Sequence, residues 1–312
     1  MRVPVNDAVH AIPLERPAHF ILIHVHEPVR FICYVAAIVA VAVVAKILTH
    51  LFVPPSPSPL HTPLTTMRNL LLPIAMLAAY AIVVRLIERR AASELDIRRG
   101  MATFLSGLAV GSILMGAVYL VLWLLGLARF SSGAGFDGLT AAVMFNLATA
   151  MGEELLFRAV LFRIAEQVAG TTVAIVMSAA IFGILHAANP GATAFGIGAL
   201  MIEFGIMMAL AYVLTRNIWL AVGIHMAWNF TQGYVFGVEV SGVSQPYSIL
   251  KTSVSGPDLL TGGSFGPEGS IVALGISVVA SAVLALLILR KRGWEPLRFR
   301  LRLPTGLGEQ RA

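Results

Sequence analysis

Met151–Arg163 reads M-G-E-E-L-L-F-R-A-V-L-F-R, and this stretch decides the fold. It sets Glu153, Glu154 and Arg158 in the middle of an apolar run. An ionisable residue at the centre of a membrane helix costs roughly 2.5–3.5 kcal/mol on insertion scales. Two adjacent carboxylates in such a place need partners or a task, so the group reads as a functional site. The rest of the chain has to supply the partners.

The composition supports a membrane setting. Of 312 residues, 58% are hydrophobic and 12% charged, with a formal net charge of +6. A soluble domain carries about 25% charged residues. The single cysteine, Cys33, excludes an intramolecular disulfide framework and a cysteine-based zinc ribbon. No nucleic-acid motif occurs.

Outward from the central stretch, apolar runs predict an all-α polytopic membrane protein of eight spans in one domain: Phe31–Phe52, Asn69–Ile87, Met101–Leu127, Leu139–Val168, Thr171–Ala188, Ala192–Leu214, Ile218–Phe236 and Ser270–Leu289. Residues 1–30 read as a polar cytoplasmic tail, where His24 and His26 are a weak metal signal best taken as solvated. The first span begins too late for a cleaved signal peptide. Within residues 31–100, Val53–Thr66 is a stiff Pro/Ser loop and 88–100 a loop with four arginines. The core is expected over 101–237 and a polar extracytoplasmic loop over 238–269. After the last span, 270–289, comes a basic tail, 290–312. By the positive-inside rule the loop at Arg89–Arg99 and the tail at Arg290–Arg302 share the cytoplasmic side, which places both termini there, in the cell membrane. Gly107 and Gly111 form a G-x-x-x-G pattern, with Gly116 further along, suited to close helix approach. Ser131–Gly138 reads as a plain connection.

Three spans carry polar residues at helical spacing. Glu154 and Arg158 are i,i+4 and can pair, while Glu153 lies about 100° round the helix from Glu154. Phe182 and His186 repeat that spacing, as do His225 and Asn229. Glu153 and His186 each stand about sixteen residues, or about 24 Å, from the turn at Ala169–Gly170. His225 lies roughly 12 Å beyond the turn at Arg216–Asn217. A hairpin protruding into the cytosol would let all three meet about 10–15 Å below the cytoplasmic surface. Glu203, in the sixth span, either lines the same cavity or is an incidental buried acid.

E-E-x-x-x-R, F-x-x-x-H and H-x-x-x-N, in this order on successive apolar helices, resemble the three motifs of the CPBP family. That family comprises type II CAAX prenyl proteases and bacteriocin-processing, Abi-like proteins, and the resemblance covers Met101–Phe236. It implies intramembrane hydrolysis of a peptide bond in a membrane-associated, prenylated or unprenylated, protein or peptide. The residues suit that chemistry. Glu153 would act as base on water with help from His186, and the resemblance gives the base role to the first glutamate. His225 and Asn229 offer donors to an oxyanion. Glu154 and Arg158 would orient the site, with Phe182 beside them. The preferred mechanism needs no cofactor. A competing one uses Zn²⁺ on Glu153, His186 and His225, although no H-E-x-x-H is present. A transporter or proton relay, which the lack of an internal repeat disfavours, and an idle membrane scaffold are the readings from other classes.

Overall fold

The computed structural model describes residues 17–56 and 61–292, with side chains described for 28–56 and 61–291. Eight long helices make up the bundle among the described residues: α1 (Pro17–Phe52), α2 (His61–Glu88), α3 (Ile97–Leu124), α4 (139–169), α5 (Thr171–Ala188), α6 (Ala194–Thr215), α7 (219–235) and α8 (Ile271–Arg292). Six of them, α1 from Pro28 onward with α2, α3, α5, α6 and α8, are long and apolar enough to cross a membrane. The other two, α4 and α7, carry the glutamates and the second histidine. Helix α7 is the innermost element: every residue from Trp219 to Asn229 is buried.

Several boundaries depart from those read in the sequence. Helix α1 starts at Pro17, inside the region expected as a tail. The His24/His26 side chains lie outside the described residues, as does everything beyond residue 292. Helix α2 starts at His61, eight residues early. The first four N–H groups of a helix have no intrahelical partner, so Pro63 loses nothing in that turn. The hydroxyls of Thr65 and Thr66 bond back to the carbonyls of His61 and Thr62.

The fold is helical except for one antiparallel ribbon, β1 (Ala128–Ser132) with β2 (Leu250–Val254), in register Ala128↔Val254 through Ser132↔Leu250. Ser131–Gly138 is therefore more than a plain connection: its start is tied to the loop between α7 and α8. That loop folds back on the bundle, with Phe265 and Glu268 buried.

The glycine pattern on α3 packs against α7. A methyl at Gly107 would fall 2.9 Å from Gly223 Cα, and one at Gly111 would fall 3.0 Å from the Ala227 side chain. Gly116 faces open space and takes no part. Two bare helix backbones in contact hold α7, and the residues on it, at a fixed height against α3.

The eight helices alternate in direction, so the connections sort into two ends. At one end the 89–96 loop, the turn after α4 and the turn after α6 come together. Ile218 N–H donates to the Glu94 carbonyl (3.1 Å) and Asn217 Nδ2 to the Asp96 carbonyl (3.0 Å). Arg216 pairs with Glu166. Glu88 gathers Arg163 (2.7 Å), Arg30 (2.8 Å), Arg90 (2.6 Å) and the Tyr34 hydroxyl (2.5 Å), which ties α1, α2 and α4. Beside it Glu94 is buried; burial works against its charge, but the Arg90 guanidinium (2.8 Å) and the Tyr80 hydroxyl prevail and hold its carboxyl below the usual range. The other end carries the ribbon and the 236–270 loop.

Candidate active site

Helix α4 is regular from Leu139 to Glu154 and then widens into a π-helical turn, Leu155–Phe162, before resuming at Arg163. Such turns recur at functional sites, because the extra residue re-aims the side chains around it. Glu153 and Glu154 stand at the junction. Adjacent on one helix, they point about 100° apart and enter different surroundings.

Glu154 is fully buried. Its Oε1 lies 2.8 Å from His225 Nδ1, and its Oε2 lies 3.1 Å from Arg158 Nε in an ion pair without hydrogen-bond alignment. Arg158, also fully buried, donates onward from Nη2 to the Phe204 carbonyl on α6. One buried chain of contacts thus joins α7, α4 and α6. Glu153 is 32% exposed and faces a cavity, with its Oε2 3.9 Å from His225 Nε2. His225 is therefore bracketed: Glu154 holds one ring nitrogen and Glu153 approaches the other.

His186 ends α5 in a 3₁₀ turn, and its Nδ1 lies 2.8 Å from the Phe182 carbonyl. A carbonyl only accepts, so Nδ1 carries the proton and a neutral ring keeps Nε2 as its acceptor. The Phe182 ring stacks on His186 at 4.6 Å between centroids, and Phe204 meets His225 edge-on at the same distance. These aromatic contacts fix both imidazole planes. Asn229, one turn beyond His225, is buried, and its Oδ1 has no partner among the described residues.

Glu153, Phe182, His186, His225 and Asn229 line one cavity of about 120 Å³. Glu154 and Arg158 lie behind that wall. Glu203 is buried without a hydrogen-bond partner among the described residues and is not part of the lining, which favours the incidental-acid reading. Among the described residues no group of three or more His, Cys, Asp or Glu side chains is gathered to hold a metal ion.

The cavity is closed by Asn189 and by Val240, Ser241, Val243 and Gln245, all from the ribbon end of the bundle.

Several lining residues escaped the sequence reading. Asn146 and Thr149 precede Glu153 at intervals of three and four, a polar stripe along α4 that the spacing does betray. Asn146 and Gln245 exchange side-chain hydrogen bonds of 3.3 and 3.2 Å across the cavity mouth. Behind Ser241, Glu268 is fully buried, accepting from Ser241 Oγ (2.5 Å) and Trp228 Nε1 (3.3 Å). Burial pushes its carboxyl above the ordinary value, against the Ser241 hydrogen bond and the nearby His186. Nothing in the sequence pattern of the loop marks these.

Residues 135–231 match a family model described as Type II CAAX prenyl endopeptidase Rce1-like. The match contains all three polar motifs and stops short of α3 and the 238–269 loop. No curated protein and no solved structure matches the chain.

Proposed function

We propose that this chain, whose residues 135–231 match the Rce1-like type II CAAX prenyl endopeptidase model, cuts a peptide bond of a membrane-associated protein or peptide in the Glu153–His186–His225–Asn229 cavity. The observation that carries the assignment of roles is the bracketing of His225 between two glutamates in unlike surroundings.

Glu154 is committed to Arg158 and His225 and has no access to the cavity. Glu153 is the carboxylate that reaches it, so Glu153 is the base. It takes a proton from a water held between it and Nε2 of His186. The hydroxide adds to the scissile carbonyl carbon and the carbonyl oxygen becomes an oxyanion. Asn229 Nδ2 donates to that oxygen. His225 also donates from Nε2 when protonated, its charge matched by Glu154 at Nδ1. Glu153 then gives its proton to the departing amine as the C–N bond breaks. No metal takes part in this sequence.

Helices α4 and α7 join the six apolar spans in crossing the membrane, and the arginine-rich end lies in the cytoplasm. The test is hydrolysis of membrane-anchored peptides by purified protein in lipid vesicles. Wild type should cut and Glu153→Ala should not, with both eluting as folded protein. Equal turnover by both would end the protease reading.

A further inference from the structure

Glu268 takes no part in the hydrolysis described above, yet it is fully buried just behind the cavity wall and is gripped from two directions. Its Oε1 accepts from Ser241 Oγ (2.5 Å) and its Oε2 from Trp228 Nε1 (3.3 Å). A carboxyl is costly to bury unless it is hydrogen-bonded, so those two bonds are what keep it there. Each leads to a different half of the site.

Ser241 lines the cavity and has a φ of 48°, in the left-handed region that residues other than glycine rarely adopt. Such a conformation persists where its surroundings over-determine it. Three hydrogen bonds do so here. Ser241 Oγ donates to Glu268, the Ser241 carbonyl accepts from Asn189 Nδ2 (3.0 Å), and the Gly242 N–H donates to the Phe265 carbonyl (2.9 Å). Asn189 in turn donates its N–H to the His186 carbonyl (3.1 Å), in the turn that ends α5. One path of contacts therefore runs from Glu268 through Ser241 and Asn189 to the backbone of His186.

The other path runs through Trp228, which is wholly buried and directly precedes Asn229 on α7. Its ring meets Phe204 edge-on at 5.7 Å, and Phe204 meets His225 in the same way at 4.6 Å. An indole has a single N–H, so its bond to Glu268 fixes the ring in its plane.

We infer that Glu268 is a positioning residue for the hydrolysis: one buried carboxyl, bonded to Ser241 and Trp228, sets His186 at its working distance from His225 and Asn229. The inference rests on the protease reading above and adds a residue from outside the segment that matches the family model. Glu268 is not part of the cavity lining and acts through the residues it holds.

The test is kcat and KM for one membrane-anchored peptide, cut by full-length protein in lipid vesicles below the unfolding midpoint of every variant, with Glu153→Ala as the blank. A misplacement of about 1 Å costs about 10²-fold in rate, so Glu268→Ala should lower kcat by about that factor and leave KM near that of wild type. Glu268→Gln should recover most of the loss, because its amide oxygen accepts from Trp228 and its amide nitrogen donates to Ser241 Oγ. Glu268→Met fills similar space without hydrogen bonds and should stay low. Ser241→Ala added to Glu268→Ala should cost nothing further, since residues acting as one unit are not additive. A wild-type kcat in Glu268→Ala, a loss confined to KM, recovery by Met equal to that by Gln, or an additive double variant overturns the inference and leaves the protease reading standing. If Glu268→Ala does not fold, Ser241→Ala alone decides: lower kcat at unchanged KM supports the inference, and wild-type kcat overturns it. If wild type matches Glu153→Ala, the protease reading itself fails and this role with it.

Discussion

Replacing Arg158 by leucine removes a guanidinium that is wholly buried, 3.1 Å from the Glu154 carboxylate and bonded to the Phe204 carbonyl. The loss leaves the buried Glu154 carboxyl with His225 as its remaining partner among the described residues. Breaking a buried pair by deleting one member costs about 3–5 kcal/mol. At roughly 2–4 °C per kcal/mol for a large domain, Arg158→Leu should lower the unfolding midpoint by about 6–20 °C. Pairing it with Glu154→Leu removes the stranded charge as well, so the double variant should unfold at a higher temperature than Arg158→Leu alone. Activity separates from stability here. The double variant frees His225 from its Nδ1 partner and should remain inactive at temperatures where it is fully folded. The assay is thermal unfolding of purified protein in one detergent, with peptide hydrolysis measured well below every midpoint. A midpoint for Arg158→Leu within about 2 °C of wild type, or a double variant no better than Arg158→Leu, would show that the pair carries no such strain, and the argument from buried charge would fall.

The remaining predictions concern individual roles. Glu153→Gln should abolish the chemical step without moving the unfolding midpoint, whereas Glu154→Gln should retain part of the activity; the opposite pattern in single-turnover hydrolysis would exchange the base and the orienting residue. Asn229→Ala should lower kcat by about 10²–10³, the usual cost of one oxyanion donor, and leave KM near that of wild type. Strong chelators should leave hydrolysis intact, and activity lost to chelation but restored by Zn²⁺ would establish the metal mechanism instead. Glu268 has a folded-state value raised above its ordinary 4.5, so its contribution to stability falls as pH climbs through and beyond that value; Glu268→Gln should match wild type in acid and exceed it in thermal midpoint at neutral pH.

The helices were legible because apolar runs longer than a bilayer's thickness have few other readings. Their ends were less so: α2 starts eight residues before the expected position, because Pro63 is harmless in a first turn but looks like loop. The Glu153/Glu154/Arg158, Phe182/His186 and His225/Asn229 groups were legible from i,i+4 spacing on neighbouring spans, and the fold does bring them around one cavity. What spacing could not show is which chain closes the cavity. Depth was counted from the nearest turn, and that count gives no sign that Asn189, Val240, Ser241, Val243 and Gln245 close the cavity. Loop residues such as Ser241, Gln245 and Glu268 have no periodicity to read. The ribbon that anchors them pairs strands some 120 residues apart, from Ser132 with Leu250 to Ala128 with Val254.

Adjacency of the two glutamates is itself part of how the site works. Side chains one residue apart on a helix diverge by about 100°, so a single backbone segment can present one carboxylate to a cavity and bury the next. Glu154 lies against Arg158 one turn along, and its Oε1 holds the His225 ring through Nδ1. The π-helical turn that begins at Leu155 lets Arg158 reach Phe204 on α6 while Glu153 keeps its place on the regular part of α4. Separating the pair by a residue would therefore damage both functions together. A one-alanine insertion between Glu153 and Glu154 should rotate Glu153 out of the cavity by about 100° and abolish hydrolysis. The same insertion between Gly138 and Leu139, ahead of the helix, should be tolerated. Loss of activity from both insertions alike would mean that α4 answers to its length as a whole, and that the local division of labour between the two carboxylates is not what the site depends on.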